Sequence, residues 1–556
     1  MAIVSFLFVI IEYNMVRRIY CLFILFSFWL WTPLHGQNSD DAKEVTQTYI
    51  FQNANIIVNP SQTIELGDIL IKDGLIVEVG KNILAPFDAK VIDVDSQYIY
   101  PAFIINGSFA GIKKPESKRP DVNDPGNPPN DLAGITPYKT VRSIYKENLE
   151  SSLKDLADVG IAYANIVPRG DMLPGKSSLV LTKGKGVQDL FLKDETGVYF
   201  QFNPASRIYP ATLIGVMAKF RDLIQNAKLT SAYSTSYNEN PNGLPLPDSD
   251  EVSQALSDAS NGKEVIYTYA PKVKDINRAI LLKNELGLSM HLIGVKQGQY
   301  LMEDVKDNFT NISISLDIPE EMKIDSSLEG TQKALQERKF DAYQNELKQA
   351  QIMLENGLMF SFSSMDLSSS DIKKNLHRIV DSGLTSKDAL QALTTTPSKQ
   401  LGIERIAGSL EKGKLANLFI VDKPYFEKES AISYTLINNH LNKIEKKKKS
   451  DKKVKNIDGT WSYTLDFGIG EMSGSFIIEN SESEKTEVKV ESNDMPDEEF
   501  TGENVKFEEN KLSFSVSIQG VVYQVDLEFS EEEFEGNVSS VETGSTKITG
   551  SKTPKE

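Results

Sequence analysis

Between residues 48 and 100 the apolar positions come in short alternating runs: Ile69-Leu-Ile-Lys-Asp-Gly-Leu-Ile-Val-Glu-Val79, then Val91-Ile-Asp-Val-Asp, then Tyr98-Ile-Tyr. Gly67, Asp73-Gly74 and Gly80 cut them. A two-residue period with glycine turns predicts short β-strands. From about residue 140 to 400 the pattern changes. Helical periodicity over Ser143–Val159, Ala211–Asn226, Asp275–Leu286 and Thr331–Asn356 interleaves with strand-like runs. Those runs are Ile161–Val167, Val265–Tyr269, Ser289–Gly294, Ile312–Leu316 and Met359–Ser363. Such alternation predicts a parallel α/β architecture, and its length suits a (β/α)8 TIM-like barrel. Residues 402–445 return to strands. Beyond them, 456–552 alternate strictly in places, as in Leu512-Ser-Phe-Ser-Val-Ser-Ile518, which predicts a C-terminal antiparallel β domain, a sandwich or small barrel.

Breaks in the pattern mark the boundaries. Residues 113–131, rich in Pro, Asn and Asp, read as a long surface loop. Lys443 to Lys455, with four consecutive lysines from Lys446, reads as a solvated linker between acidic domains, a site for anionic surfaces being the other reading. At the N-terminus, basic Arg17-Arg18, an apolar core from Cys21 to Trp31 and a small residue, Gly36, have the order of a secretory signal. Residues 1–36 are therefore expected to be a signal peptide, with Met15 a possible true start and an uncleaved anchor the alternative. The expected location is exported, periplasmic or extracellular, with no membrane insertion once the signal is cut.

The 556 residues are 40% hydrophobic and 25% charged, enough for two or three domains. A net charge of −18 argues against nucleic acid or an anionic membrane as partner. Cys21 is the sole cysteine, so disulfides have no part in the mature fold.

Chemistry enters with Pro101-Ala-Phe-Ile-Ile-Asn-Gly-Ser-Phe109, which follows the early strands. It resembles the first barrel strand of the amidohydrolase superfamily, PGFIDxHxH. Further resemblances to exported imidazolonepropionase-like amidohydrolases lie in Arg207-Ile-Tyr-Pro-Ala-Thr-Leu-Ile-Gly, in Thr394-Thr-Thr-Pro-Ser-Lys-Gln-Leu-Gly402 and in Gly408-Ser-Leu-Glu-Lys-Gly-Lys-Leu-Ala-Asn-Leu-Phe-Ile-Val-Asp422. Together they cover roughly residues 48–445. The resemblance implies a layout. Residues 46–100 and 401–445 would form one composite small β domain, 101–400 an amidohydrolase-like barrel and 456–556 a β module. Asn417 stands at a usual Asp, an expected loss of a hydrogen-bond acceptor.

The resemblance also implies a zinc-type site: HxH on strand 1, one His each on strands 5 and 6, and an Asp on strand 8, activating water for C–N hydrolysis. Here those positions carry Gly107 and Phe109, Tyr269, Gly294 and Met365, and Ile105 replaces the Asp that precedes HxH. Metal ligands: none. Zinc is the family's cofactor, but its ligand set is absent, so no cofactor is expected. The histidines give an independent count: His35, His291, His377 and His440, with no metal-binding spacing among them. His35 leaves with the signal, and His291, three residues before Gly294, is expected on the opposite strand face. Asp366 is the one carboxylate near the former base, a weak candidate. Tyr267, Tyr269 and Phe109 either fill the vacated centre or stack on a ligand. Gly170-Asp-Met-Leu-Pro-Gly175-Lys176-Ser177 fits the phosphate-loop pattern, but a β-like run follows where that loop needs a helix, and Pro174 removes an N–H.

These observations predict an exported pseudoenzyme: an amidohydrolase-like scaffold, or the partner of a separate complete amidohydrolase chain, with a homodimer also open. Two alternatives stay open, an active hydrolase on non-peptide C–N bonds and a small-molecule or glycan-binding module.

Overall fold

The computed structural model describes residues 47–113, 122–145, 149–247, 250–322, 324, 329–365, 367–444, 456–466, 471–481, 486–493, 495–508, 510–530, 532–540 and 544–553. The expected signal segment, Cys21, most of the lysine run, part of the 113–131 loop and Asp366 lie outside the described residues. The chain divides into two compact units, residues 1–445 and 446–556.

The first unit contains two sheets. Strands β1 (Thr48–Asn59), β2 (Gln62–Lys72), β3 (Leu75–Gly80), β4 (Lys90–Asp93) and β5 (Tyr98–Pro101) share one sheet with β14 (Leu418–Val421), β15 (Ile432–Ile437) and β16 (His440–Lys443). Leu418 to Val421 pair antiparallel with Pro101 to Tyr98, so segments over 300 residues apart meet in one ladder. Alternate residues of β1 and β2, including Phe51, Ile56, Ile69 and Ile71, are buried with Leu418 and Ile420 in one core.

The second sheet has eight strands in chain order: β6 (Phe103–Ser108), β7 (Ile161–Ile166), β8 (Gly175–Leu181), β9 (Phe191–Gln201), β10 (Ile266–Tyr269), β11 (Met290–Val295), β12 (Ile312–Ser315) and β13 (Ser361–Ser363). The Ser364 N–H donates to the Gly107 carbonyl at 2.9 Å, joining the last strand to the first, so the sheet curls into a TIM-like closure. Even-numbered residues from β11 to β13, such as Leu292, Ile312, Ile314 and Phe362, are buried in the outer core. Odd-numbered residues of β9 to β11, such as Tyr199, Tyr267 and Ile293, gather in a separate inner cluster. This is the two-residue alternation of a strand that is covered on both faces.

The all-parallel expectation needs correction at one stave. β8 runs antiparallel to both neighbours, β7 and β9. The connection from β7 is too short for a crossover helix, which a parallel third stave would require. Two predicted helices are also broken. The first stops after Val141–Ile144, where Tyr145 is extended, with Leu149–Asp158 a separate helix, and the last is split at Lys348 into Gly330–Leu347 and Gln349–Glu355.

The second unit is a nine-strand antiparallel sheet, β17 (Gly459–Asp466) to β25 (Gly544–Lys552), with β17 paired to β25. Its end strands, β20 (Met495–Thr501) and β21 (Glu503–Glu508), are consecutive in the chain on either side of Gly502. β20 pairs with β19 (Glu487–Ser492) and β21 with β22 (Lys511–Ile518). The meander thus turns round on itself at one bent strand. A Cβ on Gly502 would come within 3.1 Å of Phe514 and 3.2 Å of Val488, so a side chain at the bend would need these neighbours to give way. Trp461, Phe476, Phe514, Phe529 and Phe534 fill its core.

Candidate functional site

Counting β8 as the third stave, β10, β11 and β13 are staves five, six and eight. Gly107 and Phe109 end the first stave, Tyr269 ends the fifth, Gly294 lies near the end of the sixth and Met365 just past the eighth. All five therefore sit at the C-terminal ends of strands, where a barrel of this type carries its active groups.

Contacts bring several of them together. Gly294 has φ +70°, and a Cβ built on it would fall 2.3 Å from Cε2 of Tyr269 and 3.6 Å from Sδ of Met365. The phenol ring of Tyr269 therefore occupies the space a side chain at 294 would need. A Cβ on Gly107 would lie 3.3 Å from Cβ of Ser363 and 3.5 Å from Cδ1 of Ile293. Phe109 packs edge-on to Tyr199, with centroids 6.3 Å apart, and carries the Arg169 guanidinium 4.2 Å above its ring. The five positions hold two hydrogen atoms, a benzyl ring, a phenol and a thioether. That set has neither the imidazole nor the carboxylate donors of a zinc site, so these residues do not fit the ion.

One layer toward the N-terminal ends of the later staves lies a hydrogen-bonded belt that sequence reading missed. Thr196 Oγ1 donates to Asn165 Oδ1 at 2.7 Å, and Asn165 Nδ2 donates to Asn106 Oδ1 at 2.9 Å. Asn106 Nδ2 then donates to Gln400 Oε1 at 3.3 Å. From the other side Ser361 Oγ donates to the same Gln400 oxygen at 2.6 Å. Ser361 Oγ lies 2.7 Å from Ser313 Oγ, and Ser313 Oγ lies 2.8 Å from His291 Nε2. Proton directions follow along the chain of contacts. Ser361 spends its single O–H on Gln400, so Ser313 donates to Ser361 and His291 donates from Nε2.

His291 is thus an inward residue, which corrects the expectation that it faces outward. It is in register with Tyr267, and the two rings are 5.2 Å apart. The bulge between Leu292 and Val295 breaks simple alternation, so both His291 and the side-chain direction of Gly294 reach the interior. Burial pushes the His291 imidazole down to about 3, leaving it neutral. The Ser313–His291 contact has the length of a nucleophile–base pair, but both residues are buried away from solvent.

Of the three aromatic candidates, Tyr267 is buried and hydrogen-bonds Thr196 and Asn165, while burial raises its phenol pKa. Phe109 and Tyr269 keep partial exposure. His377 and His440 lie on separate elements, the helix Ser369–Asp381 and strand β16. Asn417 has lost no acceptor: its Oδ1 takes the Asn438 N–H at 2.8 Å, and its Nδ2 donates to the Tyr163 hydroxyl at 2.7 Å. In the phosphate-loop look-alike, Gly175–Leu181 is the antiparallel stave, and Lys176 is paired with Glu195 at 2.8 Å and Glu264 at 3.1 Å. A groove of about 620 Å³ runs along the helix Leu213–Glu239, lined by Leu223, Tyr233, Leu246 and Asp250, none of which belongs to the barrel centre.

Comparison with known proteins agrees with this fold. Residues 263–461 match the profile of the amidohydrolase family. This chain carries an amidohydrolase-family domain. The fold is similar to that of an amidohydrolase from Thermotoga maritima, with TM-score 0.57 and 19% identity over 71% of this chain and 99% of that one. A 55-residue stretch is 49% identical to a 5-methylthioadenosine/S-adenosylhomocysteine deaminase of Pyrococcus furiosus, covering 10% of this chain and 13% of that relative's length. Within the amidohydrolase-family domain, the matched region contains Tyr269, Gly294 and Met365.

Proposed function

We propose that this protein is an exported amidohydrolase-like scaffold without hydrolytic activity, acting as partner of a separate, complete amidohydrolase chain. One observation carries the reading: the Tyr269 ring fills the space that a side chain on Gly294 would need. The replacements at three of these positions, Tyr269, Gly294 and Met365, close on one another, while Gly107 approaches Ser363 and Ile293, so this part of the centre reads as a core. The belt beneath supports the same view, since His291 is locked by Ser313 and neutral. A metal-assisted step needs an ion-held water and an oxyanion stabiliser, and the five residues supply neither.

Metal analysis of protein purified from native extract tests the proposal, alongside turnover on amides, lactams and dipeptides. The expected result is less than stoichiometric divalent metal and no turnover above buffer. Stoichiometric zinc with chelator-sensitive turnover overturns it in favour of a working C–N hydrolase. A ligand that raises the melting temperature, with the rise abolished in Phe109→Asp, favours a binding module. N-terminal sequencing of the mature chain tests export, with a start near Gln37 expected.

A further inference from the structure

The loop between β3 and β4 holds the two most exposed large apolar side chains among the described residues, Leu84 at 91% and Phe87 at 103%. Val91, on the adjoining strand, is 52% exposed. Loose loops often show apolar residues in passing, but this one is fastened at several points. Ile83 is buried with Ile50 and Leu70, and its N–H donates to Asp68 Oδ2 at 2.9 Å. The Ala89 N–H closes a turn onto the Pro86 carbonyl at 3.0 Å, and Asp88 accepts from Thr48 Oγ1 at 3.3 Å. The fold therefore presents Leu84 and Phe87 outward on a fixed arch, leaving two large apolar side chains in water. Lys81 and Lys90 flank the arch, both exposed, and neither forms an ion pair among the described residues.

We infer that Leu84 and Phe87 form a docking knob for a separate protein whose receiving surface is an apolar pocket rimmed by carboxylates. The lysines on both sides select the rim by charge, and the two apolar side chains fill the pocket. A lipid surface is disfavoured, because two side chains make a shallow anchor. The inference names the contact surface of the partner-binding role proposed above and rests on that reading.

The test places a photo-crosslinking phenylalanine analogue at position 87 of the full chain in its native cells, with exposed Lys412 as control position. Crosslinked protein is identified by mass spectrometry, and the identified partner is then purified and titrated. Expected is one protein species crosslinked at 87 and not at 412. Binding of the purified partner should weaken about tenfold or more in Lys81→Glu/Lys90→Glu and be lost in Leu84→Ser/Phe87→Ser. Both variants should keep the wild-type melting temperature, because the changed side chains are exposed. Crosslinks to lipid, to a second copy, to residues 38–46 of the same chain, or to nothing overturn the inference, as does binding indifferent to the lysines. A partner captured at another surface leaves the scaffold reading standing without the knob. Stoichiometric zinc and turnover with the knob still engaged would sink the scaffold reading alone.

Discussion

At the scale of single residues, the barrel interior is decided by two mutually dependent positions. Tyr269 fits because residue 294 has no side chain, and Gly294 also supplies a φ of +70° that other residues adopt only at a cost. Gly294→His is expected to destabilise by about 2–4 kcal/mol from overpacking and backbone strain. Adding Tyr269→Ala should recover part of that, and a double-mutant cycle on urea midpoints measures the coupling; strictly additive losses would mean that the two side-chain volumes do not compete. His291 gives the second prediction. Its folded pKa, about 3, lies below the free value of 6.5, so the unfolded chain binds the extra proton first as pH falls. Stability is full above about pH 6.5 and declines toward pH 3, by about 2 kcal/mol between pH 6.5 and 5. His377 and His440 are also held low by burial and add the same sign. His291→Asn should flatten the pH slope relative to wild type, whatever its effect on absolute stability.

At the scale of elements, closure of the sheet turns on the join between the last stave and the first. The backbone bond from Ser364 to Gly107 is helped there by Gln400, whose Oε1 receives both Asn106 and Ser361. Gln400 belongs to the short helix Thr395–Gln400, so a side chain from outside the sheet clasps the seam. Gln400→Leu keeps the volume but strands Asn106 Nδ2 and leaves the Ser361 hydroxyl the longer 3.5 Å contact to the Ile312 carbonyl, a loss of about 1–3 kcal/mol. Amide exchange should rise first in residues 103–108 and 361–364; uniform acceleration across the unit would argue against a local clasp. The same seam shows what was legible in the sequence. Strand periods at Val265–Tyr269, Ser289–Gly294 and Ile312–Leu316 placed the staves within a residue or two, because alternation is a local property. The inward aim of His291 was not legible, since it depends on a bulge that shifts the face count at Gly294. Nor was the belt, whose members span residues 106 to 400 and meet only through closure. The antiparallel β8 escaped for a similar reason: its apolar run suits either strand direction, and only the short connection decides.

At the scale of the whole molecule, charge is divided unevenly, and the division has a measurable consequence. Residues 456–556 carry 23 acidic and 7 basic side chains, nearly the whole of the chain's excess of −18. Within that unit the register sets glutamates directly opposite one another: Glu479 with Glu487, Glu491 with Glu499, and Glu528 with Glu535. Like charges so placed destabilise a sheet, although Lys489 answers Glu499 at 2.9 Å and Lys547 answers Glu535 at 3.3 Å. These groups are at the surface, where salt screens them over about 10 Å at 0.1 M. Trp461 provides the readout. It is buried, its indole N–H donates to the Ile457 carbonyl at 2.8 Å, and the other two tryptophans, Trp29 and Trp31, fall within residues 1–36. In a chain without residues 1–36, tryptophan emission therefore follows the C-terminal unit alone. Raising NaCl from about 0.02 to about 0.5 M should move its thermal midpoint up by several degrees. Glu491→Gln with Glu528→Gln should raise the low-salt midpoint and shrink the salt gain, because the repulsion is then already relieved. A midpoint indifferent to salt in the wild-type chain would mean that the lysine pairs balance the opposed glutamates, and that the acidic excess does not weaken this unit.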